Sequence, residues 1–205
     1  GKWSSAKEIA NARVGNGYWM KHDKYSVDGA LMFLDEYFVN EPYDRPGNRP
    51  LLLAVSLWCP HYPYQCPEDL FNYYMRRVEP YVEDLPEQFD CHDFFKVKVG
   101  EDVTYREAHR ATVAYYSMIE WAAMQYGRII SKLETLDALD DFVVVFLSDH
   151  GEMLGQKGLW EKQQYFEASA RVPFFISWPQ QFPGDSGVIQ QNISLVNLFP
   201  TLCDI

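Results

Sequence analysis

The chain has 205 residues, 47% hydrophobic and 16% aromatic, with a formal net charge of −11. That apolar content can bury a substantial core and excludes a disordered chain. The acidity argues against a general nucleic-acid or membrane-surface binder, because both ligands are anionic. No run approaches the roughly 18 apolar residues of a spanning helix, and no apolar signal-peptide region follows Gly1-Lys2-Trp3-Ser4-Ser5.

In chain order, Ser26 to about Phe38 has helical periodicity, with Val27, Ala30, Leu31, Leu34 and Phe38 on one face. Asn40 to Pro50 is a loop punctuated by three prolines and Gly47. Leu51 to Trp58 reads as a buried strand running into Cys59-Pro60-His61-Tyr62-Pro63, where prolines predict an extended, rigid path. Tyr81 to Val103 is irregular and acidic. Thr104-Tyr105-Arg106-Glu107 is a capping box, and Ala108, Ala111, Tyr115, Ile119, Ala122, Tyr126, Ile129 and Leu133 continue one stripe of a long helix. Val143 to Leu147 reads as a strand buried on both faces, Val172 to Trp178 as another, and Ser194 to Leu202 as a helix. The connections are too long for hairpins, so the expected architecture is α/β, a largely parallel sheet flanked by helices.

Cys59, Cys66, Cys91 and Cys203 form no dense framework. Reduced thiols are the plain reading, with a Cys59–Cys66 disulfide as the alternative. Cys59-Pro60-His61 and Cys91-His92 have zinc-ligand chemistry, but their spacing matches no common zinc module. Asn192-Ile193-Ser194 is a glycosylation sequon, meaningful only in a secreted protein. The chain starts without a lead-in and stops within an apolar helix. Residues 1–205 are therefore expected to be part of one larger domain, which leaves the compartment open between cytoplasm and periplasm.

Asp149-His150 ends the Val143 strand. A strand buried on both faces cannot hold a carboxylate and an imidazole unpartnered, so they emerge at its carboxyl end, where α/β sheets place their ligand crevices. Gly151 then frees the backbone to turn. A hard oxygen ligand beside an imidazole suits a divalent cation; the alternative is a surface turn in which Asp149 caps a helix. His61 follows one strand and Lys162 lies in the loop beyond another. Together with a metal they suit a tetrahedral oxyanion such as sulfate or phosphate, the cations opposing its charge and the imidazole supplying a hydrogen bond or proton. Singly, Lys162 could be a solvated charge and His61 a partner for backbone groups in its turn.

Ser148-Asp149-His150-Gly151-Glu152-Met153-Leu154-Gly155, Gly158-Leu159-Trp160-Glu161-Lys162 and Ala170-Arg171-Val172-Pro173-Phe174 together resemble the sulfatase family of the alkaline-phosphatase-like superfamily. The likeness is strongest to its choline-sulfatase and phosphonate-monoester-hydrolase branch. Ser56-Leu57-Trp58-Cys59-Pro60-His61-Tyr62-Pro63 is similar to the family's histidine loop, and Gly1-Lys2-Trp3 to its Gly-Lys-Trp-His signature, with Ser4 replacing the histidine. The resemblance implies Asp149 and His150 as metal ligands. It implies His61 and Lys162 as groups that hold the sulfate and protonate the departing alkoxide, and Lys2 as support for nucleophile and sulfate. It also implies calcium, with manganese or magnesium as alternatives, a formylglycine nucleophile and a small sulfate-ester substrate. No nucleic-acid or membrane partner is implied; an oligomer stays open. No Cys-x-Pro-x-Arg element and no paired N-terminal aspartates occur, so both are expected outside this chain, which alone should be inactive. The alternatives are a phosphonate monoester or phosphodiester hydrolase and a non-catalytic sulfatase-like binding protein.

Overall fold

The computed structural model describes residues 4–40, 50–87, 89–182 and 187–205. Helix α1 (Ser5–Ala10) leads into β1 (Arg13–Val14) and α2 (Tyr18–Asp35), which runs on as a π-helical turn at Glu36–Asn40. After the histidine loop come β2 (Gln65–Cys66) and α3 (Glu68–Tyr74), then the spine of the molecule, α4 (Tyr105–Thr135). The last elements are β3 (Val144–Leu147), the single turn α5 (Glu167–Ala170), β4 (Phe174–Ser177) and α6 (Leu198–Asp204).

The capping box sets the start of α4. Thr104 Oγ1 accepts from the Glu107 amide at 3.2 Å, and Glu107 Oε2 accepts from the Thr104 amide at 2.8 Å. Each bond satisfies an amide that a helix start leaves open. The helix then runs 31 residues, about 46 Å, and two cores lie along it. Toward its N-terminus Ala108, Ala111, Val113, Ala114 and Met118 pack with Ile9, Met20, Tyr64, Phe71 and Trp160. Toward its C-terminus Ile129 and Leu133 pack with Val27, Ala30 and Leu34 of α2. Arg128–Asp28 and Lys132–Asp35 ion pairs cross between the two helices at their rims.

The predicted stripe holds except at Ile119, which is exposed. Burial also spreads to Thr112, Val113 and Ala114, because α1, α3 and the β1–β2 pair wrap the first half of α4 on more than one side. Helix α2 begins at Tyr18, well before Ser26; no side chain caps its start at Gly17, which left the sequence without a boundary signal. Burial alternates along Leu51–Trp58 as in an extended chain, but no ladder partner occurs among the described residues. The loop after it folds into turns, with cis bonds before Pro60 and Pro63, rather than continuing extended.

Among the described residues the strands pair in both directions and not in parallel alone. β1 and β2 pair in parallel over two residues each, whereas β3 and β4 are antiparallel, Val144 opposite Ser177 and Leu147 opposite Phe174. The physical reason is the connection. It contains a 3₁₀ turn at Gln156–Gly158 and the one-turn α5 but no crossover helix, so the chain enters β4 at the end where it left β3. β3 is half-buried at all four positions, not sealed on both faces, with Phe146 stacked on Phe175 and edge-on to Tyr126 of α4.

Asp23 of α2 is fully buried and accepts from the Trp58 amide at 2.9 Å and the Cys59 amide at 2.8 Å. It thereby fixes the entry to the histidine loop. Asp23→Ala would strand two amides, so a loss of about 3 kcal/mol is expected, measured by urea denaturation. A change within about 0.5 kcal/mol, the range of an ordinary surface substitution, would show that the clamp contributes nothing.

Candidate active site

The loop after Trp58 closes on itself through the His61 amide, which donates to the Trp58 carbonyl at 2.8 Å. The His61 ring Nδ1 lies 2.7 Å from the Tyr62 carbonyl. A carbonyl only accepts, so Nδ1 carries the hydrogen. Burial holds the His61 pKa below its ordinary value; the Tyr62 bond opposes that shift, and Lys162 adds to it. A neutral ring protonated at Nδ1 keeps a lone pair at Nε2, and Lys162 Nζ donates to it at 2.9 Å. Trp19 Nε1 donates to the same Tyr62 carbonyl at 2.9 Å, and its indole stacks on Trp58 with centroids 4.2 Å apart. Helix α2 therefore supports this loop from two positions.

At the end of β3, Ser148 Oγ donates to the His150 carbonyl at 2.8 Å, and His150 Nδ1 donates to the Gly151 carbonyl at 2.7 Å. His150 Nε2 is thus left as a lone pair 3.6 Å from Asp149 Oδ2. Asp149 and His150 both act electrostatically on the His61 ring. Gly151 answers a need for space, not the expected freedom to turn: a Cβ there would stand 2.1 Å from the Ala168 carbonyl oxygen. That close approach lets the Gly151 and Glu152 amides each donate at 2.8 Å, to Ser169 O and Ala168 O.

Lys162 ends a tightly wound loop. Leu154, Lys157 and Glu161 all have positive φ, as do Gly155 and Gly158. The Met153 amide donates to Glu161 O at 2.9 Å and the Gly155 amide to Leu159 O at 2.8 Å. Glu152 Oε1 accepts from the Leu154 amide at 3.1 Å and the Glu161 amide at 2.6 Å. Ser169 Oγ donates to the Lys162 carbonyl. Trp160 is fully buried beneath the loop. The Glu161 carboxyl, also buried, is pushed up to about 7, first by burial and then by the charge of Glu152.

Lys162, Asp149 and His150 thus all lie within electrostatic reach of His61, while Lys2 lies outside the described residues. The cysteine–histidine pairs do not assemble zinc ligands. The Cys59 thiol is buried and driven well above its usual range by that burial and by Asp23, and His92 Nδ1 accepts from the Phe94 amide. Cys59 and Cys66 are free thiols. Asp23, Glu152 and Ser169, which hold the site's loops, escaped the sequence reading. A carboxylate directly after the Asp-His-Gly run was the available signal for Glu152.

The sulfatase family model matches residues 3–205. The chain belongs to the sulfatase family. It is 33% identical to a choline-sulfatase of Rhizobium meliloti, covering 91% of this chain and 41% of that protein. It is 32% identical to an arylsulfatase of Clostridium perfringens, covering 82% and 37%. The chain therefore spans about two fifths of these relatives. A phosphonate monoester hydrolase of Agrobacterium radiobacter superposes on all of it with a TM-score of 0.70 at 24% identity, covering 42% of that structure, and establishes the alkaline-phosphatase-like fold.

Sulfatases generally use a metal and formylglycine. The donor set here fits a metal: a carboxylate oxygen and an imidazole nitrogen face each other at 3.6 Å, and the imidazole tautomer is fixed by a backbone carbonyl. Two ligands fall short of the six to eight that calcium takes, and no cluster of three or more His, Cys, Asp or Glu occurs among the described residues.

Gly151→Ala must push the Ala168 carbonyl away and is expected to cost about 1–3 kcal/mol; an unchanged urea midpoint would contradict the contact. Glu161 gives a pH signature. Its folded pKa, about 7 against an ordinary 4.5, means that the folded state holds the proton more tightly. The stability from this group is complete below about pH 4.5 and is lost as pH rises through about 7. Glu161→Gln should remove that loss, on the order of 3 kcal/mol at most. Urea midpoints for both proteins across this window are the measurement, and parallel curves would exclude Glu161 as the group.

Proposed function

We propose that this chain is the middle-to-late part of a single catalytic domain, and that the complete protein hydrolyses small sulfate esters. The contact between His61 Nε2 and Lys162 Nζ, 101 residues apart in sequence, carries this reading. It puts a cation and a tautomerically fixed imidazole beside the Asp149–His150 pair. Such a set would oppose the charge of a sulfate and could supply a proton to the leaving oxygen. Asp149 and His150 would hold a divalent cation, calcium in the first place and manganese or magnesium as alternatives. That ion, when bound, would neutralise sulfate charge and orient a formylglycine supplied from outside this chain.

Lys162 is the donor in the resting arrangement, because the only proton on the His61 ring is committed to the Tyr62 carbonyl. Both groups can bind a sulfate oxygen and can return a proton to the departing alkoxide. Lys2 is assigned to support nucleophile and sulfate. The sulfatase relatives at 33% and 32% identity favour sulfate esters over phosphonate monoesters, which the fold also accommodates.

Lys162→Ala and His61→Ala in the complete protein should each lower kcat/KM on an aryl sulfate by about 10²- to 10⁴-fold, the usual weight of a positioned proton donor. Wild-type turnover in both variants would remove the assignment. Faster wild-type turnover of an aryl phosphonate monoester than of the matching sulfate would move the protein to the phosphonate reading. No turnover of either ester would leave a binding protein.

A further inference from the structure

We infer that Glu152 is a positioning residue for Lys162, its carboxylate holding the backbone of residue 161 in the left-handed conformation that aims the lysine at His61. The inference rests on the sulfate-ester reading for the role of Lys162. Glu161 has φ +71, a conformation that a non-glycine residue adopts only when its surroundings hold it there. Both backbone polar groups of Glu161 are held by one short stretch. Its amide donates to Glu152 Oε1 at 2.6 Å, and its carbonyl accepts from the Met153 amide at 2.9 Å.

The next residue is Lys162. Its carbonyl is tied to Ser169 Oγ and its ammonium to His61 Nε2. The two peptides flanking residue 161 therefore decide where the Lys162 side chain starts: Glu152 fixes the one before it through the Glu161 amide, and the Met153 amide fixes the one after it through the Glu161 carbonyl. The same Oε1 also accepts the Leu154 amide at 3.1 Å, at another positive-φ residue of the loop. Glu152 follows His150 by two residues, so one short segment carries both a proposed metal ligand and the clamp on the proton donor. Among the described residues the hydrogen bonds of Glu152 go to backbone amides, the pattern of a support and not of a group that exchanges protons with a substrate. Without the acceptor, residue 161 is free to relax to negative φ, swinging the Lys162 stem away from His61.

The test compares two sulfate esters in the complete protein. The nitrophenolate of a nitrophenyl sulfate leaves readily without a proton, whereas the alkoxide of an unactivated alkyl sulfate needs one. Glu152→Leu should cut kcat on the alkyl sulfate about 100-fold, the scale of an ångström-sized misplacement, and on the nitrophenyl sulfate about tenfold less severely. Partial unfolding would depress both esters equally, and that result would overturn the inference. Glu152→Gln keeps an oxygen acceptor and should stay within about threefold of wild type on both. Added to Lys162→Ala, Glu152→Leu should cost less than about threefold more, because the two act through one group; a full additive loss also overturns it. If Glu152→Leu does not fold, Glu152→Asp, with its shorter reach, should show the same discrimination between esters. A Lys162→Ala variant that fails to discriminate sinks the functional reading itself; discrimination there but not at residue 152 sinks only the positioning role.

Discussion

A carboxylate taken out of water must accept hydrogen bonds, and this chain directs two such groups at the backbone of the loops that carry the candidate site. Asp23 reaches from α2 to the amides of Trp58 and Cys59, just before His61. Glu152 reaches from the tip of β3 to the amide of Glu161, just before Lys162. In each case a side chain from another part of the chain supplies the acceptor that a strand partner or helix turn would provide elsewhere. The loops thereby keep irregular shapes without leaving buried amides open. The site is assembled from elements that barely belong to a sheet, and backbone amides clamped by carboxylates do the work that a ladder does in regular structure.

The two histidines obey one local rule. Each donates from Nδ1 to the carbonyl of the residue that follows it, Tyr62 for His61 and Gly151 for His150. In both rings this leaves Nε2 as the acceptor. One lone pair takes the Lys162 ammonium and the other faces the Asp149 carboxylate. An imidazole without a fixed tautomer would present a mixture of donor and acceptor at Nε2; a backbone carbonyl one residue away removes that ambiguity.

Much of this was legible in the sequence where a local rule governed the outcome. The capping box at Thr104 and Glu107 placed the start of α4 at the observed residue, and the apolar runs at Val143 and Val172 became β3 and β4. The positions that misled were those decided by distant partners. Ile119 lies on the helical stripe but faces outward, because the surfaces covering α4 change along its length. The direction of β4 relative to β3 depends on whether a connection folds into a helix, which its length alone does not reveal. Asp23 lies in a stretch with no caps or periodic stripe to mark it, and its burial follows from a loop 35 residues away. Gly151 was read as freedom for a turn, but the structure needs it for space: the neighbour is Ala168, which no nearby motif discloses.

The tautomer of His61 also constrains how a proton can move under the sulfate-ester reading. Its Nδ1 hydrogen is held by the Tyr62 carbonyl, and burial keeps the ring neutral, so Nε2 has no proton of its own to give. A proton leaving this pair starts on Lys162 and goes to the leaving oxygen either directly or after a transfer to Nε2. The direct route breaks the 2.9 Å contact, whereas the relay passes the proton across it. The lysine therefore needs a stem rigid enough to return to the same place and a head free to move. A left-handed residue pinned at both its amide and its carbonyl, followed by a long flexible side chain, meets both requirements. A lysine on a relaxed loop would keep the freedom of the head and lose the fixed point from which it moves.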